Sequence, residues 1–376
     1  MENKQYLESV YNVNYDSAMN YAKQGNLPST EAALKRALEA IIKLMKMTYG
    51  KEQEGYKAKA DRIVELLKSI KQKIEDANKQ KPATPGPSAT KKAEAKEEIA
   101  PREKIPVEQA LAKLNELVGL KEVKREVEQL IAELEINRDR LECGLKDNAT
   151  NHHMIFAGSP GTGKTTVARI MADILYSLGV VDKGQLVEVG REDLVAGYVG
   201  QTAIKTQEKI DEAMGGVLFI DEIYRLAEGG QTDFGKEAVG TILQAVENCR
   251  GEFVTILAGY DSRMEEFLQM NPGLTSRFPT TLHFCDYTVD EMYEIFEGMC
   301  SKNQFAINTQ MQLEIRKALG KMYDNRDPVH FGNARDVRNL FEKITKKQKM
   351  RLYNLKKQGQ ALSKEDYMML VPQDMP

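Results

Sequence analysis

Cysteine is scarce in this chain. Cys143, Cys249, Cys285 and Cys300 are its only four among 376 residues, and they lie far apart with no C-x-x-C pair. That spacing speaks against a disulfide framework and for free thiols in a reducing compartment. Histidine is as rare, with four. His152 and His153 adjoin at the mouth of an apolar segment and read as strand-end side chains rather than metal ligands. An excess of charge of one sign is lacking too: 53 Lys and Arg against 56 Asp and Glu leave a net −3. So small a charge attracts neither nucleic acid nor an anionic membrane over the whole surface, and any basic patch must be local. No apolar run approaches a membrane span, and the opening MENKQYLESVYN has no signal-peptide core. Together these absences predict a cytoplasmic chain.

What is present is ordinary globular material, 41% apolar and 29% charged, long enough for two or three domains with buried cores. Composition predicts four regions. Residues 1–78 read as an all-α three-helix bundle. The run Glu31–Met47 sets Leu34, Leu38, Ile41, Ile42 and Met45 on one stripe, and Ile63, Leu66, Leu67 and Ile70 repeat the device. Breaks are expected at Gln24–Ser29 and Tyr49–Gly55. Residues 79–106, KQKPATPGPSATKKAEAKEEIAPREKIP, are rich in Pro, Ala, Lys and Glu and read as a linker. From Val107 to 286, helices alternate with short apolar strands at His153–Ala157, Leu186–Val189, Val217–Ile220, Phe253–Ala258 and Thr281–Phe284. That alternation predicts a five-stranded parallel α/β sheet covered on both faces. Residues 287–376 show no further strand and three helices, near Val289–Ser301, Gln310–Tyr323 and Asn333–Gln358, forming a lid.

The strongest chemical signal is Gly158-Ser159-Pro160-Gly161-Thr162-Gly163-Lys164-Thr165, followed by Thr166. It fits G-x-x-x-x-G-K-[ST] between a strand and a helix. Glycines let main-chain N–H groups curl round a pyrophosphate, and the helix N-terminus adds partial positive charge. Lys164 would reach the β- and γ-phosphates of ATP, and the Thr165 hydroxyl would ligate Mg²⁺. The complementary half is Val217-Leu218-Phe219-Ile220-Asp221-Glu222: a buried strand that delivers Asp221 to the metal and Glu222 to polarise water.

With ELVGLKEVK, GYVGQTAIKT, DFGKEAV, ILAGY, NPGLTSRF and GNARDVRN, these motifs resemble the AAA+ ATPases. Within them the chain is similar to the group of red-type Rubisco activase and stage V sporulation protein K, from about Glu116 onward. The resemblance implies that Val118 and Gly119 line the adenine pocket through the main chain. It makes Arg277 the arginine finger serving a neighbouring subunit, hence a homo-oligomeric ring, a hexamer by analogy. Arg335 becomes the lid sensor, with Arg338 one turn later as the second candidate. Tyr198 and Val199 sit on a loop facing the pore, where an aromatic ring can grip an extended peptide of any sequence. One departure is visible: where many relatives have Asn or Thr after the strand following Asp-Glu, this chain has Gly259-Tyr260.

The N-terminal bundle resembles a microtubule-interacting-and-trafficking module, which implies a groove for an adaptor or client helix. A plain bundle capping the ring fits the same residues. The basic run Arg335–Lys357 reads as one solvated helix face. The leading expectation is therefore an ATP hydrolase that remodels, threads or disassembles a protein client. A nucleic-acid motor or loader is the alternative, against which stands the absence of a strong nucleic-acid signal. A nucleotide-controlled scaffold is the third.

Overall fold

The computed structural model describes residues 4–23, 27–79, 104–145, 151–198, 201–228, 233–270, 272–327 and 331–376. They divide into two compact units, Met1–Glu98 and Ile99–Pro376. Residues 80–103 of the expected linker, and Val199 of the expected pore loop, lie outside the described residues.

The first unit is a bundle of α1 (Lys4–Lys23), α2 (Leu27–Met47) and α3 (Lys51–Lys79). Its core draws Leu7, Ala18 and Tyr21 from α1, Leu34, Ala37, Ile41 and Leu44 from α2, and Tyr56, Ile63 and Ile70 from α3. Three expectations need correction. Leu27, Pro28 and Ser29, placed in the first break, already belong to α2. Ile42 is 43% exposed, because the buried face of α2 runs through Ala33, Ala37, Ala40 and Leu44, whose rotation leaves Ile42 beyond its edge. The second break is shorter than Tyr49–Gly55: the chain turns at Thr48–Gly50, and Gly55 lies inside α3.

The second unit opens with α4 (Val107–Asn115) and α5 (Lys121–Glu142), followed by β1 (Met154–Gly158), α6 (Lys164–Ser177) and β2 (Leu186–Val189). A one-turn α7 (Arg191–Leu194) and α8 (Thr202–Ala213) lead into β3 (Val217–Ile220). Then come α9 (Gly235–Asn248), β4 (Val254–Gly259), α10 (Asp261–Met270), α11 (Pro272–Arg277) and β5 (Thr280–Phe284). The five strands pair in parallel in the order β2-β3-β4-β1-β5. Alternation along each strand sends Met154 and Phe156, Val217 and Phe219, and Ile256 and Ala258 into one core with α5, α6 and the lid. Ile155 and Ala157, Leu218 and Ile220, and Leu257 enter the opposite core with α8, α9 and α10. Burial on both faces explains why these strands are near-continuous apolar runs.

The lid comprises α12 (Val289–Lys302), α13 (Thr309–Asp324), α14 (Ala334–Lys357) and a short α15 (Lys364–Met368). Thr288 and Glu291 cap α12 reciprocally, the Thr288 N–H donating to Glu291 Oε2 at 2.8 Å. The lid does contain strand, contrary to the sequence reading. Residues Ala306–Ile307 (β6) pair in parallel with Met369–Leu370 (β7). Two residues are too few to leave a periodic signal, and of the four only Leu370 is fully buried, in the lid core.

Candidate phosphate-binding site

β1 lies between β4 and β5, and β3 flanks β4 on its other side. The loops leaving β1, β4 and β3 therefore emerge side by side at the carboxyl edge of the sheet, where ligands bind in open α/β folds. They carry Lys164, Tyr260 and the Asp221-Glu222 pair respectively.

Lys164 opens α6 and is buried. Its ammonium donates to Gly158 O at 2.7 Å and Ser159 O at 2.9 Å, and lies 5.9 Å from the centre of the Tyr260 ring. Burial lowers its pKa from 10.5 to about 8, opposed by the negative charges of Asp221, Asp261 and Glu222. The Asp221 carboxyl is shifted the other way, upward, chiefly by loss of surrounding water and against the pull of Lys164. Lysine and aspartate are thus each held in a setting that disfavours isolated charge, as suits groups that await a charged ligand.

Glu222 adopts left-handed backbone angles, φ 49° and ψ 46°. For a residue with a Cβ this conformation costs on the order of 1–3 kcal/mol. It sits at the head of the 3₁₀ turn Ile223–Leu226, and both its carboxylate oxygens are engaged: Oε1 accepts from the Tyr260 hydroxyl at 3.0 Å and Oε2 from Arg225 at 3.3 Å. Thr165, Asp221, Glu222 and Arg225 share a cavity of about 280 Å³ with Glu188 and Gly190. Arg335, at the start of α14, is near enough that its charge depresses the pKa values of Lys164 and Asp221.

Val118 and Gly119 lie in the bend before α5. Gly119 has φ +65°, and a Cβ there would stand 2.7 Å from Glu291 Oε1 and 3.2 Å from the Tyr287 ring, so the bend packs against the lid. The structure thus brings together the Gly158–Thr165 loop, Asp221, Glu222, the 118–119 bend and Arg335. Thr166 faces outward from the first turn of α6, and Arg338 is exposed one turn beyond Arg335.

Two predicted residues stand elsewhere. Arg277 ends α11, before β5 begins, whereas the phosphate loop follows the end of β1; Met154 pairs with Thr280 and Gly158 with Phe284. The two edges are about 13 Å apart at ~3.3 Å per residue. Within the single chain Arg277 donates to Gly273 O at 2.9 Å and pairs with Glu247 at 3.1 Å. Tyr198 is 74% exposed. Its loop is fastened at the base, where the Thr202 hydroxyl accepts from Ala196 N at 3.1 Å and Lys205 donates to Val195 O at 3.1 Å.

Sequence reasoning gave no role to Arg225, Tyr287 or Asn333. Arg225 follows Glu222 by three residues, a spacing that places two side chains on one side of a helical turn. Asn333 was visible only as part of GNARDVRN, with nothing to mark it as buried.

Residues 154–285 match the sequence profile of the ATPase family associated with various cellular activities (AAA), and residues 288–376 match the AAA lid domain. The chain belongs to the AAA ATPases, and it is an ATP hydrolase. It is similar to stage V sporulation protein K of Bacillus subtilis, 41% identical over 262 residues that cover 70% of this chain and 80% of that protein. Protein CfxQ of Xanthobacter flavus is 42% identical over 279 residues, 72% of this chain and 86% of that one. Protein CbbX of Cereibacter sphaeroides is 44% identical over 239 residues, 63% and 76% of the two chains. Among the described residues, no helix is long and apolar enough to cross a membrane.

Proposed function

We propose that this protein is a ring-forming ATPase, a hexamer by analogy with its resemblance group, that remodels or threads a protein client. The observation that carries the reading is the position of Arg277, at the sheet edge opposite its own phosphate loop. From there it cannot serve its own nucleotide, but it can serve the nucleotide of an adjoining copy. Its ion pair with Glu247 is partly exposed on both sides and is worth about 0–1 kcal/mol, so exchange for a phosphate is readily favourable.

Within one site, Lys164 and the N–H groups of the 158–165 loop hold the triphosphate, and the bend at Val118–Gly119 meets the base. Glu222 withdraws a proton from the attacking water, its carboxylate oriented by Tyr260 and Arg225. Arg335 senses the phosphates from the lid. The Thr165 hydroxyl and Asp221 carboxylate line one cavity and are hard oxygen donors, which fits Mg²⁺. When bound, Mg²⁺ would neutralise charge on the β- and γ-phosphates. Tyr198, exposed on its fastened loop, touches the client in the pore, and the N-terminal bundle recruits client or adaptor. A relative from Cyanidioschyzon merolae, 42% identical over 262 residues, is named ribulose bisphosphate carboxylase/oxygenase activase, which agrees with a protein as the client.

Mixing tests the shared site. Lys164→Ala leaves a chain unable to hold ATP but with Arg277 intact, and Arg277→Ala leaves the reverse. Each should be inactive alone, and an equimolar mixture should recover ATPase activity through interfaces that pair an intact loop with an intact arginine. A mixture as inactive as its components would show that no arginine is donated between subunits.

A further inference from the structure

Asn333 is wholly buried, yet it is one of four non-glycine residues with positive φ among those described, at φ 49° and ψ −123°. Strain of this kind persists only where the surroundings hold it. Its side chain is bonded at both ends. Oδ1 accepts from Tyr287 N at 2.9 Å, and one N–H of the amide goes to Asp286 Oδ1 at 2.8 Å. The other is shared by two longer contacts, Pro160 O at 3.3 Å and Phe331 O at 3.4 Å.

Pro160 is the first of three consecutive phosphate-loop residues whose carbonyls face the lid. Gly161 O accepts from Ala334 N at 3.2 Å, and Thr162 O accepts from the Tyr287 hydroxyl at 3.0 Å. Burial pushes the Tyr287 phenol up to about 12, so it remains a donor at any physiological pH. The approach is close: a Cβ on Gly161, whose φ is +71°, would come within 2.0 Å of Gly332 O. Glycine is therefore needed at Gly161 for the lid as much as for the turn.

A peptide group is planar, with C=O and N–H pointing in opposite directions. The carbonyls of Pro160, Gly161 and Thr162 belong to the peptide groups whose N–H groups are those of Gly161, Thr162 and Gly163. Those three N–H groups have no acceptor among the described residues. Fixing the carbonyl end fixes the direction of the N–H end. A donor on the oxygen also polarises the amide and strengthens the bond its N–H makes.

We infer that the lid sets the phosphate cradle from behind, with Asn333 and Tyr287 as positioning residues that aim the Gly161, Thr162 and Gly163 N–H groups at bound phosphate. The inference rests on the reading that this loop holds the triphosphate. It gives the lid a direct grip on nucleotide affinity that is separate from the charge of Arg335. By linkage, nucleotide must tighten the lid as much as the lid tightens nucleotide.

Calorimetric binding of ADP to the full chain tests it. Tyr287→Phe keeps the buried ring and removes the bond to Thr162 O. Asn333→Gly accepts the positive φ and removes the bond to Pro160 O. Each should weaken ADP binding about three- to tenfold, the worth of one hydrogen bond, in titrations run at a temperature where the variant is fully folded. A folded variant that binds ADP as tightly as the parent overturns the inference. If both variants unfold, hydrogen exchange of the parent decides: the Ala334 amide must become more protected with saturating ADP, and no added protection overturns the inference. Lys164→Ala separates the two claims, since undiminished ADP binding there would overturn the assignment of the loop to phosphate itself.

Discussion

The two edges of the central sheet are made by the same strands and behave oppositely. At the carboxyl edge, Lys164 has its pKa lowered, Glu222 holds an unfavourable backbone conformation, and three successive N–H groups have no acceptor among the described residues. At the amino edge, His153 accepts from Thr255 N at 2.9 Å between Phe253 and Phe278, and Arg277 is ion-paired. One edge holds its unpaired groups round a cavity, where a ligand can meet them; the other pairs its main groups within the chain, although Gln185 Oε1, Thr255 Oγ1 and Arg277 Nε stay buried without a hydrogen bond, and its arginine can change partners. Chemistry gathers at the first edge because parallel strands deliver every βα loop there.

The comparison breaks most sharply at Arg277. If the amino edge serves a neighbour's site, Arg277→Ala should reduce ATP turnover by about 10⁴-fold with ADP binding unchanged, read by phosphate release and calorimetry. Glu222→Gln belongs to the carboxyl edge. It should slow hydrolysis by about 10³-fold and leave a complex with ATP stable enough to isolate on a sizing column.

His153 tests whether the amino edge is purely structural. Burial lowers its pKa from 6.5 to about 4, with the charges of His152 and Arg250 adding to the effect. The unfolded chain therefore takes up this proton below pH 6.5 while the folded chain resists until about pH 4. Stability is full above 6.5 and falls by about 3 kcal/mol as pH drops to 4, at 1.36 kcal/mol per pH unit. Urea titrations of the parent and His153→Gln at pH 7 and pH 4.5 should show a smaller acid loss in the variant.

An effect of similar size concerns Lys164. Triphosphate needs the ammonium form, and the free protein loses it as pH rises past about 8. ATP affinity should fall about tenfold per pH unit between there and the ordinary lysine value, with proton uptake on binding in that range. Lys164→Arg, which cannot deprotonate, should remove the pH dependence.

Much of this was legible in the chain itself. All five strands were placed to within one residue at either end, because an apolar run bounded by turn residues is a local signal. The phosphate loop was legible for a related reason: its spacing reflects the reach of one backbone turn. Asp221 and Glu222 followed from the strand that ends in them. Ile42 was misplaced because an apolar stripe four positions wide does not say which edge meets the neighbouring helix. The β6–β7 pair was missed because its partners are separated by some sixty residues and are two residues long.

Tyr260 marks the boundary between the two kinds of knowledge. The sequence exposed a departure from the usual Asn or Thr but not what the phenol touches, and its bond to Glu222 depends on β4 lying between β1 and β3.

The sequence alone determined the local devices: the glycine-lysine turn, the acidic strand end, the apolar periodicity of the bundle and the strands. Each needs only neighbours along the chain. Tertiary structure alone decided which peptide planes of the phosphate loop are held, by what, and on which edge Arg277 stands. Those facts depend on strand order and on a lid residue more than 170 positions from the loop it touches, and spacing along a chain carries no information about either.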